Sequence, residues 1–269
     1  MGYSLRHSLK RLWAELQVAS PIPRRAQFFV VVSQERTGST LLSTLLSYHP
    51  SVLMDMDVFF TPETWPSSRR SGRRVFSRRP VRGFKFKGGH APLRDSVEDA
   101  HEFLRTQQEA GLRIIRLQRH DLLRQAISSY MVGARNELHA WNGRTDTKPQ
   151  RPSQVAVDVE DVFGRMEYFD RLTRFQDKML RDVPHLAISY EAHLLDAAHH
   201  QSTADQIFEH LGLARHPVET QLRKLTPNTL SDVVSNVDQL AARLQGTRFA
   251  SFLEGAPTRE TASGVGTNQ

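Results

Sequence analysis

The sequence predicts an α/β fold, a three-layer sandwich with a mainly parallel central sheet flanked by helices. Three observations carry this. Short apolar runs rich in β-formers alternate along the chain with longer segments of helical periodicity, as strands joined by helical crossovers do. The first run, Phe28-Phe29-Val30-Val31-Val32, is apolar without alternation, as a strand buried on both faces requires. It leads through a loop with one glycine into Leu41-Leu42-Ser43-Thr44-Leu45-Leu46, which reads as a buried helix.

The remaining elements follow in order. Pro50 stops that helix, and Val52-Leu53-Met54 reads as a second strand. Further strands are expected at 83–86, Arg113–Gln118 and Leu186–Ser189. Ser96 and Asp99 resemble a capping box in its acidic form, opening a helix that ends at Gly111. Helical patterns also cover 121–141, 158–181, 203–211 and 235–245. No internal repeat is present. The expected organisation is a basic amphipathic segment over 1–27, one α/β domain over 28–253, and a Gly/Thr/Ser-rich tail over 254–269 expected to be disordered.

Composition narrows the function. With 269 residues and 39% apolar content the chain can bury a core, which excludes a disordered protein. No stretch reaches the roughly 18 consecutive apolar residues of a membrane span, so a soluble protein is expected, cytoplasmic in location. Leu5, Leu9, Leu12, Trp13 and Leu16 alternate with Arg6, Lys10 and Arg11 without the apolar core and cleavage site of a secretory signal. That stretch reads as a surface helix, with a peripheral membrane contact as the alternative. The absence of cysteine excludes disulfides, thiol nucleophiles and cysteine-based zinc sites. Lys+Arg 36 against Asp+Glu 29 gives a net charge of +7, and only six of the 36 are lysines. Arginine suits forked recognition of phosphate, sulfate or carboxylate, so an anionic ligand is expected. Ten basic residues and no acid fall within 69–94, an electropositive insertion that reads as a solvated loop, an acceptor-recognition loop or a membrane-surface contact.

The loop after the first strand is Ser33-Gln34-Glu35-Arg36-Thr37-Gly38-Ser39-Thr40. A strand feeding a short glycine loop and then a helix presents unpartnered backbone N–H groups at the positive end of the helix dipole. Gly38 allows close approach of the backbone, Thr37, Ser39 and Thr40 add hydroxyls, and Arg36 adds a cation. An ATP or GTP P-loop needs G-x-x-x-x-G-K-[ST]; this loop has one glycine and no lysine, and no acidic magnesium ligand ends the Arg113–Gln118 strand. A simple Ser/Thr/Gly helix cap remains the bland alternative. The second constellation, Arg119-His120-Asp121-Leu122-Leu123-Arg124-Gln125-Ala126-Ile127-Ser128, puts Arg119 and Ser128 at the same sheet edge, placed for a second phosphate.

This pair of motifs resembles the two nucleotide motifs of sulfotransferases, most closely the bacterial carbohydrate branch that sulfates trehalose glycolipids and nodulation factors. Gly83-Phe84-Lys85-Phe86, Trp141, Ile188-Ser189-Tyr190-Glu191, Asn236, Leu244-Gln245-Gly246-Thr247 and Phe249 fall in family order, so the resemblance spans 28–253. It implies a P-loop-like fold and an enzyme using 3′-phosphoadenylyl sulfate (PAPS), without a metal, to sulfate a hydroxyl of a carbohydrate or glycolipid. The first motif (Arg36, Thr37, Gly38, Ser39, Thr40, Leu41) would hold the 5′-phosphosulfate; Arg119 and Ser128 would hold the 3′-phosphate. The trehalose-type enzymes use a glutamate just after the second strand as base, and Asp57 stands at that position here, one methylene shorter. Asp55 and His90 are the fallback candidates, and a solvated strand-end acid is the bland reading of Asp57. Glu191 reads as an anchor between strand and helix, and His193, Asp196 and His200 as polar residues of a surface helix. Trp141 is the candidate adenine-stacking residue. The alternatives are a nucleotide-binding scaffold without transfer activity, a P-loop kinase without its lysine, and a basic nucleic-acid-binding protein. The last lacks recognisable aromatic-and-basic, zinc-finger or helix-turn-helix motifs, so no nucleic-acid partner is expected.

Overall fold

The computed structural model describes residues 27–57, 80–87, 97–135, 154–220, 222 and 230–253. Five strands, β1 (Gln27–Ser33), β2 (Val52–Asp57), β3 (Val81–Lys87), β4 (Arg113–Gln118) and β5 (Leu186–Ser189), form one sheet in the order β2-β3-β1-β4-β5. Every neighbouring pair is parallel, so all five carboxyl ends lie along one edge. The described helices are α1 (Ser39–Ser47), α2 (Val97–Glu109), α3 (Leu122–Arg135), α4 (Val159–Met179), α5 (Tyr190–His193), α6 (His200–His210) and α7 (Val237–Leu244), with short 3₁₀ turns between some of them.

Alternation along β1 sorts its side chains to the two faces. Phe29 and Val31, with Ile115 and Leu117 of β4, pack against Leu42, Leu45 and Leu46 of α1 and against Ile207 and Phe208 of α6. On the other face Phe28, Val30, Val32 and Ile114 meet Leu104 of α2 and Met179 at the end of α4. The earlier part of α4 (Val162, Met166, Phe169) instead joins Leu123, Ala126 and Ile127 of α3 and Leu240 and Leu244 of α7 in a third cluster. The chain thus leaves β1 toward one face and leaves β4 toward the helices of the other. Between two such exits an open parallel sheet forms the crevice where ligands bind.

The sequence expectations agree with this in element type and order. β3 is longer than 83–86 because it is an inner strand, paired with β1 and β2 along its length. That has a consequence for the basic insertion: Arg82, expected outside the strand, is buried in β3 together with Lys85, which the expected strand 83–86 already held. α2 ends at Glu109, and Gly111 takes the left-handed conformation that the expected C-cap requires. α6 starts at His200, ahead of the expected 203, because Asp196 caps the 3₁₀ turn Ala197–His199 that runs into it. The segment 1–26, most of the insertion, Trp141, His90 and the tail lie outside the described residues. Among the described residues no helix is long and apolar enough to cross a membrane.

Gly83 of β3 has no room for a side chain. A Cβ there would lie 2.2 Å from Phe29 Cζ and 2.3 Å from Met54 Sδ. Gly83→Ala is therefore expected to destabilise the fold by about 1–3 kcal/mol or more, the usual cost of overpacking a core. Chemical denaturation of the variant measures this, and a midpoint equal to that of the parent protein would contradict the packing described.

Candidate active site

The turn after β1 is built on two left-handed residues, Arg36 (φ 62) and Gly38 (φ 87). For glycine that conformation is free, whereas for arginine it costs about 1–2 kcal/mol and has to be held from outside. The holding groups are side chains that take three consecutive carbonyls. Thr37 Oγ1 donates to the Gln34 carbonyl (2.8 Å), Gln125 Nε2 to that of Glu35 (2.8 Å), and Arg119 Nη1 to that of Arg36 (3.2 Å). The turn then enters α1, whose N-cap Gly38 offers no side-chain cap. The first N–H groups of a helix lack intrahelical partners, so those of Ser39, Thr40 and Leu41 are the donors an anion would meet.

The two motifs expected from the sequence meet physically. Arg36 Nε donates to Ser128 Oγ of α3 at 3.0 Å. The serine hydroxyl, accepting there, keeps its own proton for another acceptor. Burial lowers the Arg36 pKa from the usual arginine range, Glu35 opposing this and the Arg119 charge adding to it. An arginine remains protonated under such pressure, so the turn carries fixed positive charge in partly dry surroundings.

Arg119 follows directly on β4 and is nearly buried. Its guanidinium lies 4.6 Å above the Tyr190 ring and its Nε is 4.0 Å from Glu191 Oε1. At that distance Nε has no hydrogen-bond partner among the described groups. Glu191 spends its carboxylate on the backbone N–H groups of His120 and Asp121, tying β5 to the start of α3. Asp121 accepts from the Arg124 N–H at 2.8 Å, and burial raises its pKa against that bond and the Arg119 and Arg124 charges. Tyr190 is raised chiefly by burial.

The expected site residues among those described fall as follows. Gly38 is demanded less by an approaching ligand than by its neighbours, since a Cβ would lie 2.8 Å from Tyr190 Cδ2 and 3.3 Å from Leu194 Cδ1. The Thr37 hydroxyl is committed inside the turn, which leaves its N–H as its contribution. Asp57 ends β2 opposite Lys85, itself opposite Val31 of β1. Two strand spacings, about 10 Å, separate the Asp57 and Val31 backbones along the same sheet edge. His193, Asp196 and His200 serve local structure: His193 meets the Ser189 backbone, Asp196 caps a turn, and His200 meets the Leu194 carbonyl. Sequence reasoning missed Tyr190 as the floor under both Gly38 and Arg119. It also missed a second line of support, in which Arg165 Nη1 donates to Ser129 Oγ (2.9 Å) and Ser129 Oγ to Glu35 Oε1 (2.8 Å). The pairing of Ser129 with Glu35 crosses 94 positions, and no local spacing signals it.

The fold and this edge define the class: an α/β protein with a five-stranded all-parallel sheet, whose switch-point crevice carries arginines, hydroxyls and helix N–H groups. Among the described residues no group of acidic and histidine side chains is arranged to hold a metal ion. No protein-family model matches the chain, and no curated protein matches it. Among solved structures it is similar to one titled as the crystal structure of a sulfotransferase from Alicyclobacillus acidocaldarius. Identity is 15%, the match covers 82% of this chain and 94% of that one, and the TM-score is 0.45.

Gly38→Ala tests the turn. It places a β-carbon in left-handed backbone against Tyr190, the ring that supports Arg119. The expected loss of about 1–3 kcal/mol corresponds to a thermal midpoint lower by roughly 2–12 °C. An unchanged midpoint would mean that Tyr190 and the turn are not packed as described.

Proposed function

We propose that the protein is a PAPS-dependent sulfotransferase acting on a hydroxyl of a carbohydrate or glycolipid by in-line transfer without a metal. The observation that carries this reading is the hydrogen bond between Arg36 and Ser128, which joins the two sulfotransferase-like motifs at the switch point. The residues fit the nucleotide's anionic groups. One end of the crevice offers uncapped helix N–H groups and Arg36, and the other offers Ser128, whose hydroxyl accepts from Arg36 and keeps its proton for another acceptor, and the Arg119 guanidinium beside Glu191. PAPS would supply the sulfuryl group and a leaving group whose charge is spread over phosphate oxygens.

The chain's own residues would then do three things. Arg36 and the N–H groups of Thr37, Gly38, Ser39, Thr40 and Leu41 hold and neutralise the 5′ end, stabilising charge that grows on it during transfer. Arg119 and Ser128 hold the 3′-phosphate and set the register of the nucleotide, a positioning effect. Asp57, at the carboxyl end of β2, takes the acceptor's proton. The domain over 28–253 is proposed as the unit that does this, in a cytoplasmic enzyme with no nucleic-acid partner and with the N-terminal segment as its membrane-surface contact. Carbohydrate as the acceptor rests on motif resemblance.

Calorimetry with adenosine 3′,5′-bisphosphate, beside 5′-AMP and magnesium ATP, tests the nucleotide reading. The bisphosphate is expected to bind at least about tenfold tighter than 5′-AMP, with the preference lost in Arg119→Ala; a charge-assisted contact is worth about that much. Preference for magnesium ATP, or none at all, would overturn it. Asp57→Asn is expected to bind the bisphosphate as the parent does while turnover falls by about 100-fold or more, the usual share of a general base. Near-full turnover would remove Asp57 from the mechanism. Normal bisphosphate binding without transfer to any hydroxyl acceptor would favour the scaffold alternative.

A further inference from the structure

The Glu35–Arg36 peptide is the point at which the turn can relax. Rotating that one peptide unit changes ψ of Glu35 and φ of Arg36 together, and would carry Arg36 out of the left-handed region at little cost to the chain on either side. Whatever holds the Glu35 carbonyl therefore holds Arg36. One group does so. Gln125 of α3 is fully buried, and its Nε2 donates to the Glu35 carbonyl at 2.8 Å and to Gln34 Oε1 at 3.1 Å. Gln34 is itself fastened, its Nε2 donating to Thr173 Oγ1 (2.9 Å) and to the Phe169 carbonyl (3.3 Å) of α4. The result is a buried amide chain running α4, Gln34, Gln125, Glu35. It reaches Glu35 through the backbone carbonyl, and its side-chain links, Thr173, Gln34 and Gln125, carry no ionisable group, so it stays set across the physiological pH range.

We infer that Gln125 is a positioning residue for the 5′ end of the anion site, keeping the Glu35–Arg36 peptide turned so that Arg36 and the N–H groups after it face the ligand. This rests on the sulfotransferase reading for the identity of the ligand, and on the geometry alone for the control of Arg36. It separates two functions inside one helix: Ser128 belongs to the surface that meets the ligand, and Gln125, just under one turn earlier, shapes the neighbouring loop from behind.

Two full-length variants test it. Gln125→Met keeps the volume and removes the donor; Gln125→Glu keeps the shape and donates only while protonated. In the parent protein adenosine 3′,5′-bisphosphate is expected to bind at least about tenfold tighter than adenosine 3′-monophosphate, because a charged phosphate gains charge-assisted bonds at the turn. In Gln125→Met that advantage is expected to fall to about twofold or less, with the 3′-monophosphate affinity unchanged within about twofold, a split that general loss of structure would not produce. In Gln125→Glu the bisphosphate affinity is expected to fall as pH rises and the buried carboxyl ionises, while the 3′-monophosphate affinity stays level. Equal losses for both ligands, or no loss, would overturn the inference. A crystal structure of either variant supplies a readout independent of the nucleotide: Arg36 with negative φ supports the inference, and Arg36 still left-handed refutes it. A parent protein that binds both nucleotides alike would instead refute the sulfotransferase reading, leaving the φ of Arg36 to decide the role of Gln125.

Discussion

A single strained residue organises the carboxyl edge of this sheet. Arg36 is left-handed without being glycine, and its conformation is held because three carbonyls in a row are drawn aside by Thr37, Gln125 and Arg119. Two of those three donors belong to the β4–α3 region, so the turn after β1 takes its shape only once β4 lies beside β1. The parallel register that sets Ser33 against Leu117 is thus a precondition of the site as well as of the core. Tyr190 and Glu191, following β5, then brace Arg119 and the start of α3 from the far side. Three successive positions in the sheet contribute one layer each to a small cationic crevice.

The chemistry available there follows from which groups are fixed and which are free. Guanidinium groups keep their charge when partly buried, where a lysine ammonium would lose its proton more readily. A serine hydroxyl that accepts from one arginine can still donate outward, so the Arg36–Ser128 bond links the two ends of the site without consuming it. The Glu35 carboxylate beside the turn is held in place by Ser129, which Arg165 supports in turn. This economy suits a ligand less densely charged than a triphosphate.

Much of the fold was legible in the sequence because its signals are local. β1 announces itself as an unbroken run of Phe and Val, β4 and β5 match their expected bounds, and Gly111 marks a helix end. The two motifs of the site were legible for the same reason: each is a strand end, a loop and a helix start in one stretch of chain. What escaped notice depends on pairings about 90 to 140 positions apart, such as Gln34 with Thr173 and Gln125 with Glu35. Gly38 illustrates the difference. Its need for a positive φ is visible locally, but the Tyr190 ring that fills the space beside it comes from the start of α5, about 150 positions later. Arg82 misleads in the opposite direction, since a run of basic residues reads as solvated until β3 is seen to be an inner strand that starts at Val81.

The most direct test of the central claim is a crystal structure with adenosine 3′,5′-bisphosphate at saturating concentration. The account expects the 5′-phosphate on Arg36 and the N–H groups at the start of α1, and the 3′-phosphate on Arg119 and Ser128. Nucleotide bound elsewhere on the sheet edge, or held by the basic residues of the insertion with Arg36 and Arg119 untouched, would contradict it.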